Sequence, residues 1–223
     1  MKNKLTCIIV NYKTEKLTKA AVKSFVEFYP DVTLILIDNH SRDKSTIFVE
    51  NFAKENEQVQ CVVNSKNIGH GPALHQGIMI ANTDYVFTLD SDTEILQGGF
   101  LQQMLLQYQK QERLYAVGWL RYVNCGGVSG KKRNTKLYPY VHPYASIIDR
   151  QFYQYLPKFE NRGAPCTRNM IAAAKAGLSF YDFDLEPYIK HWVAGTRRMF
   201  KGKWNPKEDE RKLAWIEDRS YPI

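Results

Sequence analysis

Four short apolar runs punctuate the first half of the chain: LTCIIV (5–10), TLILID (33–38), QCVVN (60–64) and YVFTLD (85–90). Each is rich in Val and Ile and nearly continuous in apolar character, as parallel strands covered on both faces should be; half-exposed strands alternate instead. Between the first two runs, Leu17, Ala21, Phe25 and Phe28 recur at helical spacing. Between the third and fourth, Leu74, Ile78 and Ala81 do the same, with Pro72 placed for a first helical turn. A further helix is predicted over 98–111, burying Leu101, Met104, Leu105 and Tyr108. This βαβαβαβ rhythm predicts an α/β domain with a mainly parallel central sheet flanked by helices. Right-handed crossovers in such a sheet place a ligand crevice outside the carboxyl ends of the strands.

The polar residues at those ends form a consistent set: Asn11 and Tyr12, Asp38 and Asn39, Asn64 to Gly71, and Asp90 with Asp92. Strand ends gather Asn and Asp in any protein because they are turn-rich, which explains each position singly better than all four together. Asp90 and Asp92 are the sharpest case. Two carboxylates one residue apart at the end of a buried strand are costly unless something positive meets them, and a divalent cation commonly does.

Beyond residue 120 the character changes. The stretch NCGGVSGKKRNTKLYPYVHPY (124–144) reads as a long loop or lid, with Lys131, Lys132, Arg133 and Lys136 able to meet phosphates or simply to be solvated. Its Tyr138, Tyr140, His142 and Tyr144 offer flat faces for a sugar or base, or cover the core beneath. NMIAAAKAGL reads as a helix ending at Gly177, and the last segment mixes Arg, Lys, Trp and Phe.

Composition narrows the partners. The formal charge of +8 over 223 residues points to an acidic one: a nucleotide, a phospholipid surface, a lipid-linked diphosphate or a nucleic acid. Cys7, Cys61, Cys125 and Cys166 stand far apart, with no pairing at zinc spacing, and read as reduced and metal-free. The N-terminal apolar run is too short for a signal peptide, and no run approaches the roughly 20 apolar residues of a membrane-spanning helix. A cytoplasmic location is expected, with peripheral contact at the inner face of an anionic membrane.

In order and spacing, CIIVNY, LIDNHSRD, NSKNIGHGPALHQGI and YVFTLDSDTEI resemble the nucleotide-binding half of the family 2 glycosyltransferases, over about the first 110 residues. The resemblance implies the Rossmann-like GT-A fold of nucleotide-diphospho-sugar transferases. It implies one domain over 1–223, with a donor-binding half (1–115) and an acceptor-binding, catalytic half (116–223) ending in a basic segment. Val10, Asn11, Tyr12, Asp38, Asn67, Gly69, Asp90, Ser91 and Arg197 would contact the nucleotide sugar, Arg198 standing beside the last. Asp38 would accept the imide hydrogen of uracil or thymine, and Gly69 would admit close backbone approach. Asp90 and Asp92, joined by a late His191, would hold Mn²⁺ or Mg²⁺. The family often has a second Asn where His75 stands, so no role passes to His75.

Inverting transfer also needs a general base for the acceptor hydroxyl. The family's late Glu-Asp pair is absent as such. FYDFDLEPYIKHWVAGTRR (180–198) carries Asp182, Asp184 and Glu186 instead, and the distance back from HWVAGT favours Asp184. ENRGAPCTRNM resembles the family's Gly-Ala acceptor segment. The implied activity is metal-dependent, inverting transfer from a UDP- or dTDP-sugar to a glycan or lipid-linked acceptor. A nucleic-acid acceptor and a non-catalytic sugar-nucleotide-binding module are the alternatives. A nucleotidyltransferase would carry a Gly-rich basic loop after the first strand, which IIVNYKTEKL lacks.

Overall fold

The computed structural model describes residues 4–128, 136–160 and 164–192. Its first half runs β1 (Leu5–Asn11), α1 (Glu15–Phe28), β2 (Thr33–Asp38), α2 (Lys44–Glu55), β3 (Val59–Val63), α3 (His70–Ile80) and β4 (Tyr85–Asp90). There follow β5 (Thr93–Ile95), α4 (Phe100–Lys110), β6 (Leu114–Val123), β7 (Tyr138–Asp149), α5 (Arg150–Tyr153), α6 (Thr167–Lys175), β8 (Ser179–Asp182) and β9 (Ile189–His191).

Seven strands form one sheet in the order β3-β2-β1-β4-β7-β6-β8, while β5 and β9 pair as a separate ribbon. The four neighbours from β3 to β4 are parallel. β7 then runs antiparallel between β4 and β6, and β8 closes the edge parallel to β6. The antiparallel β4–β7 seam carries the sheet from the first half of the chain into the second.

The continuous apolar runs are explained by two cores, one on each face of the sheet. β1 sends Cys7 and Ile9 into a layer with α1, α2 and α4, and Ile8 and Val10 into a layer with α3, α5 and α6. Phe25 of α1 stacks on Phe87 of β4 with ring centroids 6.4 Å apart, a burial that stabilises by about 2–3 kcal/mol. On the other face, Gly77 lets α3 lie against β1: a Cβ there would stand 2.7 Å from the Ile8 Cγ2.

Two expectations need correction. The buried stripe of α1 is Thr18, Ala21, Val22, Ser24 and Phe25, whereas Phe28 is exposed. The face is rotated because Thr18 turns inward to donate from its hydroxyl to the Asn11 Oδ1, 2.8 Å away. The supposed lid over 124–144 is strand from Tyr138 onward. Pro139 and Pro143 are tolerated because β4 pairs with β7 only at Ala145–Asp149, which leaves one edge of the proline-bearing stretch without a ladder partner there. The helix ending at Gly177 is present, with that glycine at φ +74 just past α6. All four cysteines are free thiols.

Candidate active site

The chain leaves β1 for β2 on one side, and β4 takes the other, so the direction of winding reverses at β1. Crevices open at the carboxyl ends of strands at such a reversal. Asp90 closes β4 there, in register with Val10. After Ser91 and Asp92 the chain enters β5, whose antiparallel partner β9 sets Thr93 opposite His191. The Trp192 N–H donates to the Asp92 carbonyl at 2.8 Å, and the His191 Nε2 comes within 3.5 Å of the Asp92 Oδ1.

Asp90, Asp92 and His191 thus offer three ligand atoms within 4.8 Å of one another. Their fit to a cation can be judged from Asp90. Its Oδ1 is buried without a hydrogen-bond donor, although the His70 Nε2 stands 3.4 Å away in poor alignment. A buried carboxylate oxygen without a donor is costly, and a divalent cation would satisfy it. Two carboxylates and an imidazole suit Mn²⁺ better than Mg²⁺, which favours oxygen alone.

The electrostatics are those of a charged cluster. Burial opposes ionisation of Asp90, but the imidazoles of His70, His191 and His142 outweigh it and hold the carboxyl down at about 2. Burial likewise disfavours charge on His70 and His191, yet their carboxylate partners raise both above the ordinary histidine value. His142 goes the other way: burial, with help from nearby cations, depresses it to about 4.

A second set of polar groups joins this cluster to the ends of β1 and β2. The Ser91 and Thr14 hydroxyls are 3.4 Å apart. Thr14 and Thr18 donate to the Asn11 Oδ1, and the Asn11 Nδ2 donates to the Asp38 Oδ1 at 2.6 Å. The Asp38 carboxylate also accepts from the Ser41 hydroxyl, the Ser41 N–H and the Thr46 hydroxyl. Four donors fill the roughly four acceptor directions of a carboxylate, and Asp38 is fully buried. In this arrangement its carboxylate has no lone pair directed at a base. Instead it ties together the loops after β1 and β2, where Lys13, His40 and Arg42 hold left-handed backbone at φ 55, 69 and 54. Such strain persists only where surrounding structure enforces it. Tyr12 is half-buried beside them, with the Lys13 ammonium 5.5 Å from its ring.

Asn67 and Gly69 shape the entry to α3. The Asn67 Oδ1 accepts from the Gly69 N–H at 2.8 Å and from the Asn39 Nδ2 at 3.0 Å. Gly69, at φ +90, then caps the helix that delivers His70 to Asp90. His75 faces away and bonds the Tyr153 hydroxyl at 3.0 Å. Of the late carboxylates, Asp182 ends β8, and Asp184 and Glu186 lie between β8 and β9. Asp182 accepts from the Leu120 N–H, and Asp184 from the Glu186 N–H at 3.1 Å; all three side chains are exposed. Lys131, Lys132, Arg133, Arg197 and Arg198 lie outside the described residues.

Sequence reasoning missed His70, and it treated His142 and Tyr144 only as flat faces. His70 had a usable signal, since it directly follows the Asn-x-Gly that starts a helix at the crevice. The Tyr144 contact with His191 had none, being a stack between distant strands.

The profile described as "Glycosyl transferase family 2" matches residues 6–175. A Campylobacter jejuni protein named GalNAc(5)-diNAcBac-PP-undecaprenol beta-1,3-glucosyltransferase is 28% identical over 116 residues, 51% of this chain and 36% of that one. A Staphylococcus epidermidis poly-beta-1,6-N-acetyl-D-glucosamine synthase is 31% identical over 121 residues, 54% of this chain and 27% of that one. The matches thus span about a third of these relatives' length. Among solved structures, a Pyrobaculum calidifontis mannosyltransferase in complex with GDP-Man and Mn²⁺ superposes with a TM-score of 0.65 at 14% identity, over 81% of this chain and 54% of that one. S. aureus TarS does so with a TM-score of 0.59 at 15% identity, over 83% and 59%. The fold is GT-A, and the chain belongs to glycosyl transferase family 2.

Proposed function

We propose that the protein is a metal-dependent, inverting glycosyltransferase that moves a sugar from a nucleotide diphosphate, a UDP- or dTDP-sugar by preference, to a glycan or lipid-linked acceptor. The observation that carries this reading is the meeting of Asp90, Asp92 and His191 at the point where the sheet's winding reverses. β2 and β4 flank β1, so the loop after β2 and Asp90 stand two strand spacings apart, about 10 Å. A nucleoside diphosphate bridges such a gap, with its base over the β2 end and its phosphates beside Asp90.

A cation held by Asp90, Asp92 and His191 would neutralise charge on the departing diphosphate. The remaining work falls to side chains. Asp90 and His70 face the diphosphate from β4 and α3, and Ser91 links that end to the nucleotide loops through Thr14. Asp184 is the proposed base, with Asp182 and Glu186 next. It takes the acceptor hydroxyl's proton as that oxygen attacks the anomeric carbon opposite the leaving group. The acceptor class is supported by the names of the relatives, which specify lipid-linked or polymeric saccharides. No helix among the described residues is long and apolar enough to cross a membrane, and peripheral contact with an anionic membrane is part of the proposal.

The test is release of nucleotide diphosphate from UDP-, dTDP- and GDP-sugars, with and without Mn²⁺. Wild-type protein should consume a matching donor only with the cation, and Asp92→Asn should abolish this. Asp184→Asn should keep donor affinity while turnover falls by about 100-fold or more. Donor binding without turnover in the wild type would leave a binding module, and equal turnover in Asp92→Asn would overturn the metal assignment.

A further inference from the structure

Between the carboxyl ends of β2 and β3 lies a cavity of about 280 Å³, walled by Asp38, His40, Arg42 and Thr46 on one side and Val63 and Asn64 on the other. Val63 is 46% exposed and supplies an apolar surface. Most of the polar atoms around it are committed. The Asp38 carboxylate has its four donors, one of them the Thr46 hydroxyl. The Asn64 Nδ2 donates to the Asn39 Oδ1, and the Asn64 Oδ1 accepts from the Gln76 Nε2.

His40 differs. Its Nδ1 lies 3.2 Å from the Asn64 carbonyl oxygen. A carbonyl can only accept, so Nδ1 carries the proton and the neutral ring keeps a bare acceptor at Nε2. Arg42, two residues on, contributes only donors. Both residues hold left-handed backbone, at φ 69 and 54, a conformation that costs free energy and marks sites where side-chain placement is enforced. The cavity therefore presents one acceptor and a nearby cationic donor above an apolar wall.

That pattern matches a base carrying a ring N–H beside a carbonyl, as uracil, thymine and guanine do. Cytosine reverses it, with a bare ring nitrogen beside an amino group. We infer that His40 Nε2 accepts the imide hydrogen of the donor's base, with Arg42 on an adjacent carbonyl, and that Asp38 is a positioning residue for the loop that carries them. This rests on the glycosyltransferase reading and narrows the base to one with a ring N–H beside a carbonyl.

The experiment is calorimetric titration of the full chain with UDP and with CDP in the presence of Mn²⁺, using wild type and His40→Gly. Glycine removes the ring and relaxes the left-handed backbone, and a thermal melt confirms that the variant is folded. Wild type should bind UDP about tenfold tighter than CDP or more, because the wrong base leaves buried polar groups unpaired. In His40→Gly the ratio should shrink to about twofold or less, through weaker UDP binding. A folded glycine variant that keeps the wild-type ratio would overturn the assignment of His40. Wild type that binds both nucleotides equally would overturn the inference and leave the glycosyltransferase reading standing; wild type that binds neither these nor GDP would remove both.

Discussion

The imidazole of His191 lies flat on the phenol ring of Tyr144, with centroids 4.5 Å apart and planes 4° from parallel. β7 thereby holds a side chain of β9 at a fixed tilt, with Nε2 turned to Asp92. His142 adds a second ring contact at 6.4 Å. Residues that orient a metal-binding histidine matter nearly as much as the ligands themselves.

Tyr144→Ala is accordingly expected to lower Mn²⁺ affinity by about 10–100-fold, while Tyr144→Phe, which keeps the ring, stays near wild type. Titration of Mn²⁺ followed by electron paramagnetic resonance reads this directly. Equal affinity in all three proteins would make the stack incidental to metal binding.

The response to pH should change sign with the cation. In metal-free protein, the raised His70 and His191 contribute stability that is complete below about pH 6.5 and lost as pH climbs through their raised values. The depressed Asp90 contributes stability that is complete above about pH 4 and lost as pH falls toward 2. His142, depressed to about 4, opposes them below about pH 6.5, because the unfolded chain then takes up a proton that the folded one refuses. Metal-free protein is therefore most stable near about pH 6.5, and His70, at 41% exposed, adds only a screened share. With Mn²⁺ the histidine must be neutral to ligate, so stabilisation by the cation should grow as pH rises through the same range. Melting temperatures in chelator and in Mn²⁺, recorded from about pH 6.5 to 8, should slope in opposite directions; parallel slopes would exclude His191 as a ligand.

Gly71 sits one residue after His70, where an added Cβ would stand 2.1 Å from the Glu160 carbonyl oxygen. Gly71→Ala should cost about 2–3 kcal/mol, because backbone rather than a flexible side chain must give way. The expected fall in melting temperature is about 4–12 °C. A variant as stable as wild type would mean that α3 and the 160 region do not approach so closely.

Asn11 is bonded on both sides, to Thr14 and Thr18 through its oxygen and to Asp38, Ser41 and Ser45 through its nitrogen. Asn11→Ala should destabilise by about 2–4 kcal/mol, since it leaves buried partners unsatisfied. Urea denaturation measures the loss. Asn11→Asp should be worse than Ala, for it sets a second carboxylate against Asp38. The reverse order would contradict the network described.

The first half of the fold was legible because its signals are local. Val- and Ile-rich runs bounded by Asn and Asp predict β1 to β4 to within a residue. β1, β2 and β4 are buried on both faces and can carry little else, while β3 is a half-exposed edge strand that is apolar without being covered on both faces as expected. Thr18 misled the reading of α1: a hydroxyl on the buried face is intelligible only once Asn11 is known to lie across from it. Tyr-Pro alternation in β7 reads as loop unless one knows that β4 stops short of the prolines. β8 and β9 are four and three residues long, too short for periodicity to register. The saturation of Asp38 was hidden for a similar reason, since Asn11, Ser41 and Thr46 converge on it only in three dimensions. Asp90 and Asp92 were visible because strand, turn and carboxylates all stand within eight residues of sequence.

The β5–β9 ribbon sets Thr93 beside His191, so the imidazole reaches the acidic pair only after nearly a hundred further residues have been synthesised and folded back. A half-made chain on the ribosome can already carry β1 to β5 and both carboxylates, yet it lacks the nitrogen that completes the cluster. The same ribbon has only three residues a side, yet Ile95 and Ile189 are buried in the core and Ser24 accepts from the Ile95 N–H, so packing rather than its ladder keeps the late strand in place.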